Sequence, residues 1–233
     1  MVSPRDLALL LAPVVHRVIP SPSVEAPVSP QRLISFKRLV DIIGAAVLLI
    51  LLTPLMALIA LLVRQSGPGI IFAHTRVGRD GRLFACYKFR TMLPNAQAVL
   101  DQMLATQPHL RAEWQRDFKL KDDPRITRIG HFLRRYSLDE LPQFWNVLRG
   151  DMSLVGPRPV VPTELDRYGA QAATYLAVRP GVTGLWQVSG RNDIEYAERV
   201  ELDTAYVAQQ CLLLDLTILF KTVAVVFQRR GAY

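Results

Sequence analysis

LVDIIGAAVLLILLTPLMALIALLV, residues 39–63, is the stretch on which the fold of this chain turns. As a helix its 25 residues reach about 37 Å, enough to cross a hydrocarbon core of about 30 Å. A single crossing is the simplest reading, and two features point away from it. Thr53-Pro54 falls just past the middle, where proline removes a backbone donor and kinks or breaks a helix. The basic flanks are also nearly equal. Arg32, Lys37 and Arg38 precede the run, and Arg64, Arg76, Arg79 and Arg82 follow it, without the one-sided excess of a spanning helix. The pattern fits a re-entrant helix-break-helix over residues 32–66 that dips into one leaflet and returns. A true span and a buried core helix are the alternatives.

Composition bounds what surrounds this segment. The 233 residues allow one sizeable domain, or a domain with an appendage. Half of them are hydrophobic and mean hydropathy is +0.19, high for a soluble domain and low for a polytopic membrane protein. A net charge of +8 calls for anionic partners: nucleic acid, phosphorylated substrates or anionic lipid. No nucleic-acid motif or basic-aromatic interleaving is present, so no nucleic-acid partner is expected. Cys86 and Cys211 have no metal-ligand spacing, which suits a reducing compartment. Residues 1–31 read as a disordered or weakly ordered tail, apolar from Leu7 to Ile19 and then rich in proline and serine. Its start superficially resembles a signal peptide, but Pro13, His16 and Arg17 stand where the apolar core and small-residue cleavage site belong.

Residues 67–233 read as a compact cytoplasmic domain. Gly67-Pro68-Gly69 marks a turn, and Ile70–Thr75 and Leu83–Tyr87 are strands joined through Asp80-Gly81, a hairpin signal. In Lys88-Phe89-Arg90 the basic residues are either phosphate ligands or a solvated edge. Residues 95–120 follow helical spacing in two pieces broken near Gln107-Pro108, with Trp114 and Phe118 as packing or interfacial residues. A helix is expected over 162–178, then a loop over 179–192 with Arg179, Trp186 and Arg191. Ala197–Gln209 and Leu212–Phe227 read as helices, the last suited to lying in a membrane interface. The predicted fold class is mostly α with a small β-hairpin: the membrane segment, a compact α/β domain and interfacial amphipathic helices.

The chemistry concentrates in Ser137-Leu138-Asp139-Glu140-Leu141-Pro142-Gln143, two adjacent carboxylates beside Arg125, Arg128, Arg134 and Arg135. One reading is a capping box, Ser137 with Glu140, and Asp139 favoured by the helix dipole. Pro142 is awkward there, because its ring would meet the Leu138 carbonyl, so a helix restarting at Pro142 and running to Leu148 fits better. The other reading is chemical. A carboxylate can attack phosphorus and carry a covalent phosphoryl group, a second can hold Mg²⁺, and arginines offset charge on phosphate oxygens. Arg158, between Pro157 and Pro159, has a stiff backbone on both sides.

Seven motifs occur in order: Lys37-Arg38-x-x-Asp41, Thr53-Pro54, Arg76-x-Gly78, Lys88-Phe89-Arg90-Thr91-Met92, Ser137 to Gln143, Gly156-Pro157-Arg158-Pro159 and Arg179-Pro180-Gly181. Together they resemble the bacterial sugar transferases, the polyprenol-phosphate sugar-1-phosphate transferases, over roughly residues 32–233. Leu185-Trp186-Gln187-Val188-Ser189-Gly190-Arg191-Asn192 and the ending Gly231-Ala232-Tyr233 resemble the short members that start exopolysaccharide repeat units. Long members carry further spans and another domain ahead of the hairpin; with about 35 residues before it here, those parts are expected to be absent.

The resemblance implies a monotopic enzyme at the cytoplasmic face of the bacterial inner membrane. It would pass glucose- or galactose-1-phosphate from a UDP-hexose to undecaprenyl phosphate, release UMP, and work through a phosphosugar-aspartyl intermediate. It assigns Asp139 as nucleophile and Glu140 as Mg²⁺ ligand, places Lys88, Arg134 and Arg158 near the phosphates, and makes Thr53-Pro54 the hairpin break. Arg90 joins the phosphate-binding candidates. Arg179, Trp186 and Arg191 are candidates for a nucleotide-sugar loop, Trp186 either stacking on uracil or sugar or serving as a buried anchor. The other function class is a membrane-anchored basic domain that binds anionic lipid or nucleic acid without catalysis. Oligomeric state has no sequence signal.

Overall fold

The apolar run forms helix α1, Pro30–Gln65, in a computed structural model that describes residues 30–117, 120, 122–190 and 194–228. The tail before residue 30, Phe118, Arg191 and the Gly231-Ala232-Tyr233 ending lie outside the described residues. The chain divides into two compact units, Met1–Ser35 and Phe36–Tyr233. Of the first, only the helical backbone of residues 30–35 is described. The second holds everything from Phe36 onward, so the apolar helix and the residues after it, read from sequence as separate regions, belong to one body.

Pro54 lies inside α1 and does not divide it into two helices. Thr53 Oγ1 donates to Leu49 O at 2.6 Å, the back-bond by which a hydroxyl eases a proline-disturbed turn. Tertiary packing on both sides of the proline also holds the helix together. In the first half Ala45 is fully buried among Val147, Met152, Leu154 and Ile218. In the second, Ile59 and Val63 cluster with Phe89 and Leu133. Each such side chain removed from water contributes about 1–3 kcal/mol. Polar contacts add register: Arg38 Nη2 donates to Leu148 O at 3.1 Å, and Leu154 N donates to Asp41 Oδ1 at 3.0 Å. Lys37 Nζ donates to Asp215 Oδ2 at 2.6 Å. The opposite face carries Phe36, Leu39, Ile43, Val47, Ile50, Leu51, Leu58 and Leu61, all exposed and reaching 73% at Ile50.

Strands β1 (Ile71–Val77) and β2 (Leu83–Phe89) form the hairpin expected around Asp80-Gly81, with Val77 opposite Leu83 and Ile71 opposite Phe89. Two helices follow, α2 (Ala96–Thr106) and α3 (Pro108–Asp117), separated at Gln107 as the proline dictates. Trp114 packs under the Arg125 guanidinium at 5.3 Å, a structural contact. Helix α4 (Arg128–Arg135) starts at Thr127, whose Oγ1 accepts from Gly130 N. A 3₁₀ turn, Leu138–Glu140, leads into α5 (Gln143–Arg149), which ends at Gly150 with φ +91°.

Two short strands, β3 (Ser153–Val155) and β4 (Gly181–Thr183), pair in parallel. Between them run α6 (Pro162–Leu165), a 3₁₀ segment Asp166–Gln171, and α7 (Ala172–Leu176). The single helix expected over 162–178 is broken because Gly169 adopts φ +49°, ψ −124°. The expected loop over 179–192 instead contains β4 and α8 (Leu185–Ser189). Glycine makes that possible: a Cβ on Gly181 would stand 2.1 Å from Gly156 N, so only a bare backbone can approach so closely. Helices α9 (Tyr196–Gln209) and α10 (Leu212–Gln228) close the fold. On α10, Asp215 and Ile218 are buried while Leu213, Phe220 and Val223 are exposed, the amphipathic pattern expected.

Candidate active site

After α4 the backbone turns through Ser137 at φ +54°, ψ +22°, a left-handed conformation uncommon for a residue with a side chain. That turn bears on the capping-box reading of the dyad. Ser137 makes no side-chain capping bond, so the capping box does not form. Glu140 reaches across to β2, where Lys88 Nζ donates to its Oε1 at 2.7 Å. The helix restarts after Pro142, as the proline requires. Asp139 is carried inward to 8% exposure, with Lys88 Nζ 3.8 Å from its Oδ2. Leu138 and Leu141, which flank the dyad, pack on the cluster formed by Ile59 and Val63 of α1 with Phe89 and Leu133. The carboxylates are thereby bolted to the apolar helix.

Arg134 reaches the dyad through a backbone contact. A Cβ on Gly130 would lie 2.0 Å from Thr91 O, so glycine alone lets α4 press against the end of β2. There Arg134 Nε donates to Thr91 Oγ1 at 3.0 Å. Burial pushes the Asp139 carboxyl up, and the Glu140 charge pushes in the same direction; Lys88 and Arg134 oppose them, leaving Asp139 at about 6. The neighbouring cations therefore do not hold this acid at its ordinary value. It is ionised near neutrality and takes up a proton just below it.

Beside the dyad is a narrow cleft lined by Arg76, Cys86, Lys88, Glu140, Gln143, Arg158, Pro159, Val182 and Gln187, with room for about one water at ≈ 10 Å³. Arg158 is steadied from behind, its guanidinium 5.6 Å over the Trp186 ring. Arg199 lies 4.9 Å from the same ring and 3.7 Å from Glu164, which is also 3.5 Å from Arg76. Trp186 is 6% exposed, buried beneath the Arg158 and Arg199 guanidiniums.

Two sequence candidates are occupied elsewhere. Arg90 donates to Gly69 O, Met92 O, Val63 O, Ser66 Oγ and Gly67 O, tying the end of α1 to β2; its guanidinium is spent on carbonyls and is not a phosphate fork. Arg179 donates to Gly150 O at 2.8 Å and lines a different cavity. Arg191 lies outside the described residues. Conversely, Arg76 belongs to the cleft although from sequence it was only a basic flank of the apolar run and part of a motif. Strand alternation carried the signal: Phe72 pairs with Lys88, His74 with Cys86 and Arg76 with Phe84, placing Arg76 and Lys88 on one face of the hairpin.

Among the described residues no group of three or more His, Cys, Asp and Glu is placed to hold a metal. Asp139 and Glu140 offer two adjacent carboxylates beside the cleft. That donor set fits Mg²⁺ shared with substrate phosphates, not an all-protein cage.

Residues 32–229 match the model of the bacterial sugar transferase family. Among similar proteins is the undecaprenyl-phosphate galactose phosphotransferase of Salmonella typhimurium, 55% identical over 197 residues that make up 84% of this chain and 41% of that protein. The exopolysaccharide production protein ExoY of Sinorhizobium fredii is 51% identical over 198 residues, 84% of this chain and 88% of its own length. The UDP-glucose:undecaprenyl-phosphate glucose-1-phosphate transferase of Escherichia coli is 39% identical over 206 residues, 84% of this chain and 41% of that protein. The chain thus spans about two fifths of the Salmonella and Escherichia relatives and most of ExoY.

Proposed function

This chain belongs to the bacterial sugar transferase family, and we propose that it transfers a hexose-1-phosphate from a UDP-hexose to undecaprenyl phosphate, releasing UMP, as the first step in assembling an exopolysaccharide repeat unit. The relatives' names supply the substrate classes, with galactose in one and glucose in another. The observation that carries the reading is the position of Asp139: a largely buried carboxylate beside Lys88 and Arg134, next to a cleft holding Arg76 and Arg158, and packed through its neighbours on the apolar helix.

In this mechanism an Asp139 carboxylate oxygen attacks the sugar-linked β-phosphorus. The bond from that phosphorus to the bridging oxygen breaks, and UMP departs with the electron pair. A phosphate oxygen of undecaprenyl phosphate then attacks the same phosphorus, and the aspartyl–phosphorus bond breaks to restore the carboxylate. Lys88, Arg134, Arg158 and Arg76 offset charge on the phosphate oxygens during both displacements. Mg²⁺ held by Glu140 would add Lewis-acid neutralisation of the diphosphate. The raised basicity of Asp139 favours attack while leaving it ionised at neutral pH.

The same packing supports attachment at one membrane face. From Lys37 to Val63, α1 keeps touching the body, and the longest apolar stretch between core-packed residues runs from Leu48 to Met56. That is about 12 Å of helix, far short of the roughly 30 Å a crossing needs. Packed along the body in this way, α1 is sunk into one face of the membrane by its outward stripe, and we place it at the cytoplasmic face of the inner membrane.

Purified protein given UDP-galactose or UDP-glucose, Mg²⁺ and a polyprenyl phosphate should release UMP. Asp139→Asn should lower turnover at least about a thousandfold while the melting temperature holds. Absence of UMP with every UDP-hexose, or an active Asp139→Asn variant, overturns the proposal.

A further inference from the structure

Beyond the hairpin turn is a second cavity, of about 370 Å³, that the proposed reaction does not use. It is lined by the turn residues Arg79, Asp80 and Arg82, by Arg149 and Asp151 around the end of α5, and by Arg179. Four guanidiniums against two carboxylates leave it two charges positive. Three of the four arginines are tethered by part of the head group. Arg79 Nε is 3.3 Å from Asp80 Oδ2, Arg149 Nε is 3.4 Å from Asp151 Oδ2, and Arg179 Nε donates to Gly150 O at 2.8 Å. Arg149 Nη1 also donates to Tyr87 Oη, while Arg82 makes no side-chain hydrogen bond or ion pair among the described residues. Preset, incompletely paired guanidinium forks are the donors that recognise phosphate. Crowding them costs energy that an anion would relieve, and Arg179 is lowered by burial first and then by the charges of Arg79 and Arg38.

The position of the groove says where the phosphate comes from. Gly150 in its wall lies against Arg38 of α1, whose guanidinium would meet a Cβ there at 3.4 Å. Arg38 stands between Phe36 and Leu39, both half exposed, where the apolar stripe begins. One turn before Arg149 on α5, Trp145 is 53% exposed, a residue type that settles at the lipid headgroup level. Basic clusters beside a membrane-embedded helix bind anionic headgroups.

We propose that this groove is a binding site for the phosphate headgroup of an anionic membrane lipid, separate from the cleft at Asp139. Free phosphate shares the chemistry, and the test separates the two. The full chain in detergent micelles is titrated with dihexanoyl phosphatidylglycerol, with dihexanoyl phosphatidylcholine and with sodium phosphate. Binding is read by melting temperature and by lipids retained in native mass spectrometry. The variant is Arg79→Gln/Arg82→Gln, on an exposed turn remote from the dyad, with UMP release as the check that it folds.

Phosphatidylglycerol should bind saturably and at least tenfold more tightly than phosphatidylcholine, with affinity falling about fivefold per arginine removed, about 25-fold in the variant. Equal binding of the two lipids, or phosphatidylglycerol affinity unchanged in the variant, overturns the proposal. Sodium phosphate binding that is lost in the variant overturns the lipid assignment in favour of a free phosphate.

Discussion

Replacing Lys88 by methionine tests whether the dyad's electrostatics are as described. The Lys88 ammonium lies 3.8 Å from Asp139 Oδ2. Coulomb's law at an effective permittivity of about 20 puts that attraction at about 4 kcal/mol. The lysine side chain is 25% exposed, so solvent screening brings the net effect to about 1–2 kcal/mol. With Asp139 at about 6, roughly nine tenths of it is ionised at pH 7. Losing the lysine raises the acid further, and the ionised fraction at pH 7 falls to between about two thirds and about a quarter.

The sign follows from the chemistry: the nucleophile must be a carboxylate, so activity is lost as pH falls through its value. In the wild type the acid limb of kcat/KM for UMP release should lie at about 6. In Lys88→Met it should move toward higher pH, with part of the lost activity returning by pH 8.5. A lower plateau would report the separate loss of a phosphate contact. If the limb stays at about 6 while only the plateau drops, Lys88 does not tune Asp139 and the reasoning is refuted.

Arg90→Lys should be a stability variant. It gives up a guanidinium bonded to four carbonyls and a hydroxyl around the end of α1, so melting should fall by the equivalent of about 2–4 kcal/mol while KM for the UDP-hexose stays within about twofold. Gly130→Ala drives a methyl into Thr91 O and should cost about 1–3 kcal/mol, with kcat lowered as Arg134 is displaced; a stable, fully active variant would contradict the close approach of α4 to β2. For topology, reporter tags at residues 1 and 233 should both read cytoplasmic, and opposite sides would return α1 to a membrane span.

Much of this fold was legible because its signals are local. Asp80-Gly81 between alternating strands, the stop at Gln107-Pro108 and the restart after Pro142 each follow from the backbone freedom of a few residues. The dyad and its basic surroundings were equally visible, since charge and spacing lie in the chain itself. The occupation of each basic residue was not. Lys88 on β2 and Arg90 just past its end sit two apart, yet one meets Glu140, 52 residues away, and the other caps α1. Arg179 and Arg158 flank paired backbones at β3 and β4 but serve different cavities. Trp186 is buried because Arg158 and Arg199 cover it. The elevated Asp139 arises from burial beneath segments distant in sequence, which no count of neighbouring arginines reveals. Element type is set over a turn or two of chain, where residue chemistry speaks directly. Burial, pairing and the roles of like side chains are set by contacts across the fold, and only the packed structure decides them.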